Sequence, residues 1–95
     1  MVYQAYMDSL EKNQPPSDLS PGLLALWWDK KGDWGKAHDA TQPGGQEADW
    51  VHAYLHRKEG DQGNASYWYN RSSKTKPSCS LDQEWENIVR ALSTN

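Results

Sequence analysis

Ninety-five residues make one domain at most, and a chain this short buries a smaller share of its surface than a larger one, so its core must be economical. The aromatic set is six Trp, five Tyr and no Phe. Such side chains join a large apolar body to a polar handle, which suits a core sealed near the surface and also a binding face. A net charge of −3 with both signs spread along the chain argues against a dedicated nucleic-acid or anionic-membrane binder, which would carry a basic patch.

The first segment, residues 1–19, begins "MVYQAYMDSLEKN". It has no basic start followed by an apolar run, so it does not read as a signal peptide. The segment has room for a short helix through Leu10, with Val2, Tyr6 and Met7 among its apolar positions. In "NQPPSDLSPG" the prolines at 15, 16 and 21 fix φ and remove donors, which breaks any helix. The same stretch ends on a start signal, Ser20 as a cap and Pro21 at the first helical position. "PGLLALWWDKK" then runs to Gly32, a left-handed stop. Leu23, Leu24, Leu26, Trp27 and Trp28 cover most of its circumference, which places this helix centrally in the packing. Asp33 can cap "WGKAHDATQ", whose Ala37 and Ala40 allow a neighbour to approach closely, and "PGG" at 43–45 ends it.

"QEADWVHAYLHRKE" follows, stopped by Gly60, and Asp61 caps "QGNASYWYNRSS". The basic stretch "RSSKTK" at 71–76 reads as a solvated connection to Pro77. "CSLDQEWENIVRAL" opens on a capping box, Ser80 with Gln83 three residues on, and Leu81, Trp85, Ile88, Val89 and Leu92 form one helical stripe. Cys79 stands alone, so the fold needs no disulfide and no oxidising compartment. No stretch reaches transmembrane length, and none alternates like a strand for long. The expectation is a cytoplasmic, all-α single domain of five short helices without a cofactor: a first hairpin over 20–43, a second over 46–77 and a capping helix over 78–95.

"LWWDKKGDWGKAHDA" (26–40) lies over "YLHRKEGDQGNASYW" (54–68) at an offset of 28. Gly32, Asp33, Gly35 and Ala37 then fall on Gly60, Asp61, Gly63 and Ala65, and Lys30 falls on Lys58. Self-similarity of this kind encodes two helical hairpins, each with a glycine stop, an aspartate cap and an early alanine. Gly60, Ala65, Tyr69 and Pro77 also fall at the spacings of the tetratricopeptide repeat, which uses them as turn glycine, close-contact alanine, bulky core residue and terminal proline. The chain resembles that family over roughly residues 20 to 92. It departs in its shorter offset and in placing His52 and His56 where the family has apolar residues. "HAYLHRKEGD" with "NASYWY" is also similar to a group of short uncharacterised proteins, which carries no activity with it.

On a helical wheel Trp50, Val51, Tyr54 and Leu55 form one arc, and His52, His56 and Glu59 form a stripe opposite. An i, i+4 histidine pair can bind Zn²⁺ or a similar ion, with Glu59 as an oxygen ligand. The H-E-x-x-H motif is absent, because Ala53, Tyr54 and Leu55 lie between the histidines. The competing reading makes His56 a buried structural residue paired with a carbonyl or with a tyrosine such as Tyr69. His38 can face the same groove, giving a pocket with Glu59, Asp61, Tyr67 and Trp28. Ser73-Lys74-Thr75-Lys76 fits S-x-x-K but lacks the companion motifs, and no catalytic residue is assigned.

Two functions follow. The resemblance implies a protein–protein interaction module whose aromatic-rich face takes a protein or peptide partner; separately, two short hairpins supply little core alone, which points to a homodimer burying spare tryptophans. The module's candidates are Trp50, Arg57, Tyr67 and Arg71, with His52 on the rim. The alternative is a small-ligand or metal-binding protein, or an enzyme, using His38, His52, His56 and Glu59.

Overall fold

The structure is a computed structural model that describes residues 1–94. Among these residues six helices follow one another, one more than the two hairpins and cap expected, because Tyr6 draws the N-terminal segment into the core: α1 (Tyr3–Ser9), α2 (Pro21–Lys30), α3 (Trp34–Ala40), α4 (Gln46–Lys58), α5 (Gln62–Arg71) and α6 (Leu81–Leu92). There is no strand among the described residues, only an isolated parallel bridge from Val2 to Thr94. Among the described residues no helix is long and apolar enough to cross a membrane.

Four of the helix starts are capped by the residues whose side chains suit the task. Ser20 Oγ accepts from Leu23 N at 3.5 Å, Asp33 Oδ1 from Lys36 N at 3.0 Å, Asp61 Oδ1 from Asn64 N at 3.2 Å, and Ser80 Oγ from Gln83 N at 3.0 Å. The reciprocal half of the box at Ser80 does not form, because Gln83 Nε2 donates to Asn87 Oδ1 instead. The stops at Gly32 and Gly60 share one geometry. Their φ values are +87° and +86°, and the next residue's amide reaches back into the helix: Asp33 N to Trp28 O at 3.0 Å, Asp61 N to His56 O at 2.9 Å. That is the six-to-one bond of a Schellman ending, which turns the chain straight into the next helix.

The two turns fold α2 against α3 and α4 against α5 as helical hairpins, and α4 also packs on α2, α3 and α6. Alanine sits at the convergence in each hairpin, and Ala37 and Ala65 are both fully buried. The main core joins Tyr6, Leu26, Trp27, Val51, Leu55, Trp85 and Ile88. A smaller one, Ala53, Ala65 and Tyr69, fills the second hairpin. α1 belongs to the main core through Tyr6, whose hydroxyl donates to Leu23 O at 2.7 Å, while Trp27 Nε1 donates to Ser9 Oγ at 3.1 Å.

Two buried carboxylates cross-link the helices, and each has two partners, as charge removed from water requires. Asp29 on α2 accepts from Lys58 Nζ at 2.8 Å and from Tyr54 Oη at 3.1 Å. Glu84 on α6 accepts from Arg57 Nη1 and from Tyr69 Oη, both at 2.6 Å, and Arg57 also donates to the carbonyl of Cys79. Tyr69 is therefore committed to Glu84 and not to His56. A charged acceptor holds the phenol more strongly than an imidazole would.

Candidate functional site, a cluster of three histidines

α4 is buried around most of its circumference, from Val51 through His56 without a break. Val51, Tyr54 and Leu55 go to the main core and Ala53 to α5. The remaining arc carries His52 and His56, one turn apart, and α3 lies across it. His38 on α3 meets them there. Its Nε2 lies 3.0 Å from His52 Nε2, and ring centroids are 4.8 Å apart for His52 and His56 and 5.6 Å for His38 and His56. One ring nitrogen from each of the three lies within 4.8 Å of the other two.

Two tryptophans fix the rings. Trp34 stacks on His38 with centroids 4.9 Å apart and planes at 12°, while its Nε1 is anchored on Leu55 O at 3.1 Å. Trp68 stacks on His52 at 4.0 Å and 17°. Behind His56, Glu59 Oε1 lies 2.5 Å from Nδ1, which leaves Nε2 as the nitrogen of that ring available to the cluster. A carboxylate on the far nitrogen fixes both tautomer and orientation. Burial, followed by the neighbouring charges of His38 and His56, lowers the His52 pKa to about 4. His52 is thus a neutral imidazole at physiological pH, the form that has a lone pair to give.

Of the residues singled out from the sequence, His38, His52, His56 and Glu59 come together. Tyr67 and Arg71 stand beside them on α5 around Trp68: Tyr67 is 54% exposed with its ring edge-on to Trp68, and Arg71 lies 5.5 Å above the Trp68 ring. Trp50 lies apart, under Lys74 and next to Leu92, and Arg57 is engaged with Glu84. His52 is buried, not at a rim. Trp28 is not in the pocket; it meets Trp27 edge-on and lies under Lys36. Asp61 is exposed and spends its carboxylate on the start of α5.

The sequence reading missed Trp34, Trp68 and Asp49. Trp34 precedes His38 by four residues, the spacing that puts two side chains on one helical face, and that signal was readable. Trp68 had none, since its place over His52 depends on how α5 packs. Comparison with protein-family models, curated proteins and solved structures finds no match.

Proposed function

We propose that the protein binds a transition-metal ion of the zinc class through His38, His52 and His56. The observation that carries this reading is the convergence of three imidazole nitrogens from two helices within 4.8 Å, with Glu59 behind one of them. Imidazole suits borderline ions such as Zn²⁺, and three protein ligands leave a fourth position open. Two nitrogens on a tetrahedral Zn²⁺ stand about 3.3 Å apart. The His38–His52 pair, at 3.0 Å, needs to open by only a few tenths of an ångström. A second set, His56, Glu59 and Asp61, has comparable spacing. It is the weaker candidate, because Asp61 is exposed and already caps a helix and Glu59 would have to leave its orienting bond.

Zn²⁺ added to the protein tests the proposal through thermal unfolding, since an ion that binds only the folded state raises Tm. The expected result is a rise that disappears in His38→Ala, His52→Ala and His56→Ala. Glu59→Gln is expected to keep the rise but weaken Zn²⁺ affinity about 10-fold to 100-fold, the usual effect of losing an orienting carboxylate. No rise at saturating Zn²⁺, or a rise that survives His52→Ala, would overturn the assignment.

A second reading, a tetratricopeptide-like interaction module, is supported by one observation: Tyr67 is a large side chain left exposed beside Trp68 and Arg71, the residue types that dominate binding hot spots. A partner or a second copy of the chain would seat there. Light scattering across a concentration series, with wild type and Tyr67→Ala, distinguishes self-association from a monomer.

A further inference from the structure

Beside the cluster, between the Pro43-Gly44-Gly45 turn and α5, lies a cleft of about 300 Å³ walled by Thr41, Asp49, His52, Trp68 and Arg71. Its volume is at the small end of the range for ligand pockets. Of the three histidines only His52 is in its wall. Elsewhere the Trp34 ring covers one face of His38 and Glu59 takes the far nitrogen of His56. The cleft thus reaches the cluster at His52.

The cleft carries one cation and one anion. Arg71 Nε stands 3.5 Å from Asp49 Oδ2, beyond a good hydrogen bond. The Arg71 side chain is 58% exposed and that of Asp49 11%. The guanidinium is thus an exposed fork at the cleft, loosely paired to Asp49 and donating from Nη1 to Tyr67 Oη at 3.2 Å. Asp49 lies one helical turn before His52 on α4, which puts both in the same wall. It is not among the groups whose ligand atoms lie within 4.8 Å of the histidine nitrogens. It stands instead as the internal anion that Arg71 holds for want of another.

We propose that the cleft is the binding site for a small carboxylate, one oxygen on the ion held by the three histidines and the other end of the group paired to Arg71. The guanidinium fork matches a planar carboxylate, and the divalent ion adds charge that Asp49 alone does not balance. Binding then displaces Asp49 from Arg71. This rests on the metal reading, and the test separates the two.

Co²⁺ reports its own coordination in the visible spectrum, so the probe is the Co²⁺-loaded protein titrated with acetate. The expected result is a Co²⁺ band whose shape changes saturably with acetate. Arg71→Gln weakens the acetate affinity about tenfold, the loss of one charge-assisted bond. Asp49→Asn strengthens it, because the internal competitor is gone. A Co²⁺ band that acetate leaves unchanged, or an Arg71→Gln affinity equal to wild type, overturns the carboxylate site and leaves the metal site standing. No Co²⁺ band at all overturns both.

Discussion

His38 Nε2 and His52 Nε2 face each other at 3.0 Å across the α3–α4 contact. Two nitrogens at that distance hold one proton between them or one ion beside them, but not two protons, because two imidazolium ions would repel at close range with little water between them. Burial and repulsion act in the same direction on His52 and lower its pKa.

Stability is expected to fall with acid because of His52. Its folded pKa is lowered to about 4 from an ordinary value of 6.5. Between those values the unfolded chain binds a proton that the folded protein refuses, so folding is favoured less as pH falls. The contribution is fully present above pH 6.5 and lost progressively as the pH falls towards 4. Urea midpoints measured from pH 8 to pH 4 check this. The decline should be shallower in His52→Gln, and parallel profiles for the two proteins would contradict it.

The buried Arg57–Glu84–Tyr69 network is structural. Truncating Arg57 to Ala leaves Glu84, 3% exposed, with a tyrosine hydroxyl alone, and breaking one partner from a buried pair typically costs about 3 kcal/mol or more. Chemical denaturation should show that loss, while Zn²⁺ affinity is unchanged in whatever fraction remains folded. A loss below ~1 kcal/mol would mean that Glu84 finds another partner.

Gly32 and Gly60 should tolerate alanine equally badly. Their φ values agree to within one degree, +87° and +86°, and a Cβ at either would meet no atom within 4 Å. The cost is therefore backbone strain alone, about 1 kcal/mol at each site. Denaturation of the two single variants checks it. A large difference between them would show that the two hairpin turns are not equivalent.

Much of the helical frame was legible in the sequence. Ser20, Asp33, Asp61 and Ser80 cap where their side chains suggested, and the glycines at 32 and 60 stop helices, because these are local effects decided within four or five residues. The convergence of His38 with His52 was only conceivable, since it depends on how α3 crosses α4. The wheel around residues 50–59 sets His52, His56 and Glu59 in one stripe, with His56 offered as a buried residue and His52 as a rim one. α3 and α5 cover that stripe, so His52 and His56 are buried. Tertiary contact also decided Tyr69, which the spacing offered to His56 and which Glu84 claims.

X-ray absorption at the zinc edge of the Zn²⁺-loaded protein tests the central claim most directly. The account predicts a shell of nitrogen and oxygen scatterers at about 2.0 Å, with the outer-shell pattern of three imidazoles, and no such zinc retained by His38→Ala. A shell of one imidazole with carboxylate oxygens, unaffected by His38→Ala, would place the ion at His56, Glu59 and Asp61 instead, and would contradict it.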